Sequence, residues 1–171
     1  TSTYCHYILT KHDLEYLYMK LKQITKKDQL KLKEVYFDSV CSIDENIYSK
    51  EHKFAWACQA WENYELEKSL LKGIGTKLIC NNEIIGFAIR YPENRLSLLY
   101  VKSNFKRKGF GSMILNSIEK DALKSGLNKL KTEASLLSYK LLLKRKWEID
   151  RKEKVVIKGL IFERYRMFKI L

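Results

Sequence analysis

The apolar positions fall into short runs whose spacing changes along the chain, and each change marks an element. Leu21-Lys-Gln-Ile24 alternates like a short strand, and Thr25 stands where it can cap a helix over 27–41 with Leu30, Val35, Phe37 and Val40 as its apolar side. A second helix follows Tyr48-Ser49 and carries Phe54, Ala55, Trp56 and Ala57; a third covers 64–71, and Gly73 and Gly75 stop the helical pattern. Residues 76–80 and 83–91 read as strands joined at Asn81-Asn82, a hairpin signature because asparagine tolerates positive φ. A further strand, 95–101, follows a turn at 92–94, so the three form an antiparallel meander.

Beyond Val101 the chain turns polar and basic. Gly109-Phe-Gly-Ser112 then opens a helix to about Lys124, with Phe110, Ile114, Leu115, Ile118 and Ala122 as its buried stripe. Ser125-Gly126 ends it. Residues 127–134 read as a strand, 136–144 as an apolar helix, and 147–157 with 160–171 as a closing hairpin turned at Lys158-Gly159. Strand, glycine-rich turn, helix and strand make a βαβ unit, so strands 95–101 and 127–134 should be parallel neighbours. The pattern leaves the last strand, with Ile161, Tyr165, Met167 and Ile170, open to two arrangements: pairing across a homodimer, or ending as a covered edge.

With 171 residues, 46% hydrophobic, one proline and no repeat or linker, the chain reads as one domain. The start differs: Tyr4, Tyr7, Tyr16 and Tyr18, a short strand at 7–9 and a helical turn after Thr10 suggest an extension, 1–19, packed on a domain, 20–171. Cys5, Cys41, Cys58 and Cys80 are widely spaced and the three histidines do not cluster, which predicts reduced thiols and no metal site. No run approaches the roughly 20 apolar residues of a membrane span, and the first ten residues lack signal-peptide order. The expectation is a cytoplasmic protein with no membrane partner.

Charge sharpens this picture. The net charge is +13, and residues 102–171 carry +12 of it. Such an excess suits nucleic acid, an anionic surface or an anionic ligand, and lysine-rich compositional bias is its plainer reading. The stretch Leu98-Leu-Tyr-Val-Lys-Ser-Asn-Phe-Lys-Arg-Lys-Gly-Phe-Gly-Ser112 favours the ligand. Glycines in the first turn of a helix let backbone amides approach an anion, and a pyrophosphate fits there with Lys106, Arg107 and Lys108 at the mouth. The spacing is neither a Walker A loop nor the three-glycine dinucleotide fingerprint.

The same stretch resembles the acetyl-CoA loop of the GNAT N-acetyltransferase superfamily, Gln/Arg-x-x-Gly-x-Gly/Ala after a strand, with Gly109 and Gly111 matching and Lys106 in place of Gln/Arg. Tyr48-Ser-Lys-Glu51, Ala55-Trp-Ala57, Ile85-Gly-Phe-Ala88, Thr132-Glu-Ala-Ser135 and Arg166-Met-Phe-Lys169 look like a bacterial single-domain subgroup. The resemblance covers the chain from about Leu21 onward. It implies an α/β (α+β) GNAT fold: a mixed central sheet of about six to seven strands with helices on both faces. It also implies acetyl-CoA as co-substrate and a primary amine of a small molecule or peptide as acceptor, attacking directly in a ternary complex. Backbone at Leu99, Tyr100 and Val101 would hold the pantetheine arm, with a bulge there freeing an amide for the thioester carbonyl. Lys106, Arg107, Lys108, Gly109, Phe110, Gly111 and Ser112 would grip the pyrophosphate.

The family motif after the fifth strand, Asn-x-x-Ala-x-x-aliphatic-Tyr-x-x-x-Gly-Phe, is altered. Aligning its Gly-Phe on Lys146-Trp147 puts Ser135 at the Asn, Ser138 at the Ala and Leu142 at the Tyr that protonates the thiolate. Leu142 has no proton to give. Tyr139, one turn earlier, is the nearest substitute; the alternatives are plain packing of its ring and departure of the sulfur with water as acid. Ser135 suits a polar contact to the coenzyme or a helix cap. For the base, Asp44, Glu51, His52, Glu62 and Glu133 are all open, each with a solvated surface charge as its plain reading. Phe54, Trp56 and Trp61 read as core, with part of the set open to lining an acceptor pocket. Two other readings remain: a GNAT-fold acyl-CoA binder with little turnover, and a basic nucleic-acid module built on 140–146 and 151–154. Leu141, Leu142 and Leu143 interrupt the first basic run and no nucleic-acid motif accompanies it, which argues against nucleic acid.

Overall fold

The computed structural model describes residues 18–171. The strand at 7–9, the turn after Thr10 and the packing of the extension lie outside them. Strand β1 (Met19–Gln23) leads through a 3-10 turn (Lys26–Asp28) into α1 (Gln29–Cys41); α2 (Lys50–Ala57), α3 (Gln59–Glu62) and α4 (Tyr64–Lys72) follow. Then come β2 (Ile74–Cys80), β3 (Glu83–Arg90) and β4 (Leu96–Val101), the long helix α5 (Phe110–Lys124), β5 (Lys129–Ser135), α6 (Tyr139–Lys144), β6 (Glu148–Ile157) and β7 (Leu160–Ile170).

The strands form two antiparallel sheets, ordered β1-β2-β3-β4 and β5-β7-β6. The parallel seam expected between β4 and β5 is present only at its start, as one bridge between Arg95 and Lys131 with the Lys131 amide donating to Asn94 O at 2.9 Å. β7 lies between β5 and β6, so the last strand is neither a dimer-pairing nor a covered edge; the outer strand is β6. Both predicted hairpin turns form, with positive φ at Asn81 and Asn82 and at Lys158 and Gly159.

A bulge sets the two faces of β4. Ile89 pairs with Leu98 but Arg90 pairs with Leu96, leaving Ser97 as the extra residue, its hydroxyl on Ile89 O at 3.1 Å. The bulge therefore stands just before the 99–101 stretch where it was expected. It resets the alternation, so that Leu96, Leu99 and Val101 pack with α5 while Leu98 and Tyr100 pack with α1. Each face carries its own core. One joins Leu78, Ile85, Phe110, Ile114, Ile118, Leu130 and Trp147; the other joins Leu32, Val35, Tyr36, Phe87, Ile89 and Phe162.

Two expectations about burial change. In α1 the buried stripe is Leu32, Val35, Tyr36, Ser39 and Val40, whereas Leu30 and Phe37 are 63% and 37% exposed. Both stripes satisfy helical spacing, and the denser one wins because it also places the Tyr36 hydroxyl on Trp56 O at 3.0 Å. Phe54 and Trp61 are 65% and 51% exposed and do not belong to the core.

Two buried acids fasten the layers. Glu119 of α5 accepts from Trp147 Nε1 and Lys169 Nζ, both at 2.7 Å, tying the helix to the second sheet. Asp28 accepts from Lys77 Nζ at 2.6 Å and from the Thr25 amide at 2.7 Å, tying the start of α1 to β2. Burial pushes the Asp28 carboxyl up, but its bonds to Lys77 and Thr25 outweigh this and hold it below the usual range. Asp28→Asn should therefore cost about 3 kcal/mol in denaturant unfolding. Because the folded pKa is the lower one, this stabilisation is complete above the unfolded value of about 4 and is lost as pH falls through the folded value; the variant should show a flatter acid limb.

Candidate active site

Beyond the Arg95–Lys131 bridge, β4 and β5 separate. The Thr132 hydroxyl donates to Leu96 O at 2.7 Å, and Arg95 Nε pairs with Glu133 Oε2 at 2.8 Å; together they close the seam. From Ser97 to Val101 the edge of β4 away from β3 pairs with no strand among the described residues. Leu99, Tyr100 and Val101 thus present backbone to the opening.

At the open end lies the glycine loop. Arg107 and Gly109 have positive φ, 61° and 85°, and the N-cap position of α5 is Gly109, which brings no side chain of its own to cap the helix. A Cβ on Gly109 would meet nothing within 4 Å, so glycine is required there by the backbone. At Gly111 the reason is packing, since a Cβ would stand 3.2 Å from Leu141. A helix start with a glycine at its head suits a pyrophosphate, and Gly109, Phe110, Gly111 and Ser112 are its backbone.

The loop is held by a part of α1 that the sequence did not single out. Asp38 Oδ2 accepts from the Ser103 amide at 2.6 Å and Oδ1 from the Ser103 hydroxyl at 3.1 Å. Lys106 Nζ donates to Ser39 O at 2.6 Å and Ser42 Oγ at 2.7 Å. Burial pushes the Lys106 ammonium down, with the Asp38 charge opposing. Lys106 therefore anchors the loop on the negative end of α1 rather than adding its charge at the mouth; Arg107 and Lys108 follow it on the loop.

On the α1 face of the opening is a cavity of about 510 Å³. Leu98 and Tyr100 of β4 and Glu133 and Ser135 of β5 contribute to its lining, with Tyr48, Trp56 and Phe162 around it. Tyr48 packs edge-on to Trp56 at 5.5 Å between centroids and against Phe162 at 5.7 Å, and its hydroxyl accepts from the Leu136 amide at 3.2 Å. Burial raises the Tyr48 phenol, and it raises that of Tyr100 further. Of the expected aromatic set only Trp56 lines the cavity.

Of the five candidate bases, only Glu133 does so. Asp44 Oδ1 accepts from the Asn46 amide at 2.8 Å, Glu62 pairs with Lys158 at 2.6 Å, and Glu51 is exposed at the start of α2. His52 has both nitrogens engaged, Nδ1 at 2.9 Å from Ser49 Oγ and Nε2 at 3.1 Å from Ile161 O. Leu142 is 2% exposed in the α5-side core. Tyr139 is on that face too, its ring stacked on Tyr165 at 4.5 Å, outside the cavity lining. Ser135 reaches the cavity, yet its hydroxyl accepts from the amides of Leu137 and Ser138 at 3.3 and 3.2 Å, as a cap would. Among the described residues no acidic, histidine or cysteine cluster is arranged to hold a metal, and no helix is long and apolar enough to cross a membrane.

Comparison with known proteins gives this arrangement a context. A GCN5-related N-acetyltransferase from Rhodopseudomonas palustris superposes with a TM-score of 0.82 at 22% identity, over 89% of this chain and 95% of that one. The PaiA N-acetyltransferase of Thermoplasma acidophilum, solved with coenzyme A, gives 0.68 at 18% identity over 90% and 99%. YncA of Salmonella typhimurium, a putative acetyltransferase solved with acetyl-CoA, gives 0.62 at 16% over 89% and 93%. A search among curated protein sequences finds no match. These likenesses establish a shared fold. The family model for the acetyltransferase (GNAT) domain matches residues 45–167, well over half of the chain and inclusive of the parted strands and the glycine loop, and the chain belongs to the GNAT acetyltransferase family.

Proposed function

We propose that this protein transfers the acetyl group of acetyl-CoA to a primary amine of a small molecule or peptide, by direct attack with both bound. One observation carries the reading: the parting of β4 from β5 sets an unpaired strand edge between the glycine-headed start of α5 and an open cavity. Coenzyme and acceptor can then approach one point from different sides.

Acetyl-CoA supplies an acetyl group activated as a thioester. The free backbone of Leu99, Tyr100 and Val101 binds the pantetheine arm, and the amides at the head of α5, with Arg107 and Lys108 beside them, bind the pyrophosphate. Asp38, Ser39 and Lys106 keep that loop in place. An amine entering from the cavity arrives as an ammonium and must lose a proton before attack. Glu133 lines the cavity and is oriented by Arg95, which makes it the group to take that proton. Trp56, Leu98 and Phe162 give the cavity an apolar side against which an acceptor can pack. The buried Leu142 favours one rival, an acyl-CoA binder with little turnover.

An amine panel scored by release of free thiol separates the two: turnover on at least one amine is expected, and stabilisation by acetyl-CoA without any turnover would favour the binder. At a hundredfold excess over Kd, acetyl-CoA should stabilise the fold by about 2.7 kcal/mol in thermal unfolding. Asp38→Ala should weaken coenzyme binding about tenfold by titration calorimetry, because two charge-assisted bonds to the loop are lost. Glu133→Gln should lower kcat by about a hundredfold while leaving coenzyme affinity within about threefold, measured by steady-state kinetics beside the same calorimetry.

A further inference from the structure

Acetyl transfer leaves a thiolate that needs a proton, and the helix after β5 offers none in the cavity, since Leu142 is enclosed in the core and Tyr139 is stacked on Tyr165. The hydroxyls that line the cavity can be taken one at a time. Tyr36 donates to Trp56 O at 3.0 Å, Ser97 to Ile89 O at 3.1 Å, and Ser69 to Glu65 O at 3.0 Å. Ser135 lies 3.1 Å from Ser138 Oγ, with which it shares a proton, and accepts from two amides. Tyr100 is half-buried, its ring packed on that of Tyr36 at 4.6 Å between centroids. Tyr48 accepts a bond from the Leu136 amide at 3.2 Å and donates to no group among the described residues.

Its position suits the task. Leu136 follows the last residue of β5, the strand that meets β4 at the Arg95–Lys131 bridge and parts from it beyond. The Tyr48 hydroxyl therefore stands at the end of β5, in a cavity lining it shares with Leu98 and Tyr100 of β4. Its ring is fixed by Trp56, Phe162 and His52, with centroids at 5.5, 5.7 and 6.3 Å. The amide of Leu136 occupies one lone pair and leaves the O–H to turn toward the opening.

We infer that Tyr48, from the segment before α2, is the proton donor to the departing sulfur, in the place that Leu142 leaves without one. This rests on the acetyl-transfer reading. As the amine nitrogen forms its bond to the acetyl carbon, the C–S bond breaks and its electron pair goes to sulfur. Tyr48 Oη hands its proton to that sulfur and is reloaded, through solvent, by the surplus proton on the former amine nitrogen, while the proton that Glu133 took from the ammonium passes to bulk water. No other reactant is required.

Tyr48→Phe keeps the ring and removes only the hydroxyl. With acetyl-CoA and an accepted amine, kcat should fall about a hundredfold with the acceptor KM within about threefold. A second readout needs no turnover. Above the pKa of the coenzyme thiol, wild type should bind coenzyme A about tenfold more tightly than Tyr48→Phe, since a charge-assisted bond to the thiolate is lost, whereas desulfo-coenzyme A should bind both equally. A purely structural role would weaken both ligands alike and would overturn the inference. So would an unchanged kcat in Tyr48→Phe with the loss carried by Tyr139→Phe. A wild type that binds coenzyme A but releases thiol with no amine would overturn the acetyl-transfer reading as well, which separates the two failures.

Discussion

The Thr132 hydroxyl on Leu96 O, beside the Arg95–Glu133 pair, ends the parallel seam between the two sheets after a single bridge. A side chain thereby takes the carbonyl that the next ladder bond would have used. Leaving that buried carbonyl unpaired would cost roughly 1–3 kcal/mol, more than the bond itself contributes net, so the interruption is stable only because the hydroxyl supplies the partner. Had the seam continued, β4 would have had no free edge and the cavity would have lost its floor. Elsewhere the sheets are held through side chains instead of ladders. Glu119 reaches Trp147 and Lys169 from α5, and Leu96, Leu130 and Met167 meet in one apolar cluster.

The bulge at Ser97 acts on the same strand from its other edge. Without the extra residue Leu96, Leu98 and Tyr100 would share a face, and either Leu96 would leave the α5-side core or Tyr100 would leave the cavity. Inserting one residue satisfies both. It also puts Tyr100 on the side of the opening where Tyr36 and Tyr48 lie, the Tyr36 hydroxyl donating to Trp56 O and that of Tyr48 accepting from the Leu136 amide.

What could be read from the sequence was whatever a short window encodes. Positive φ at Asn81-Asn82 and Lys158-Gly159, the stripe Phe110, Ile114, Leu115, Ile118 and Ala122, and the glycine-headed helix are local patterns, and each is present as read. The order β5-β7-β6 is not local: it depends on which of two antiparallel pairings β7 makes, and it makes both. The clamp of Asp38 on Ser103 joins residues 65 positions apart that no motif links. Lys106 matched the family position by charge, but charge says nothing about direction, and the C-terminal carbonyls of α1 proved the nearer partner. Tyr48 carried one signal, its place in Tyr48-Ser-Lys-Glu51, and that signal names a resemblance without naming a role.

The positive charge of residues 102–171 also reads differently once its partners are known. Glu153 takes Arg164 and Arg166 and Glu163 takes Lys152 within the second sheet, and Glu119 of α5 takes Lys169. Lys106 is turned to α1. The loop itself then carries the side chains of Arg107 and Lys108 beside the oriented amides at the head of α5. Amides held by a helix are fixed in direction and lose no rotamer freedom on binding, whereas exposed lysines are screened beyond about 8–10 Å at physiological salt. On the acetyl-transfer reading, the coenzyme would be gripped by backbone geometry held by Asp38 and Gly109, with the large net charge adding attraction at long range.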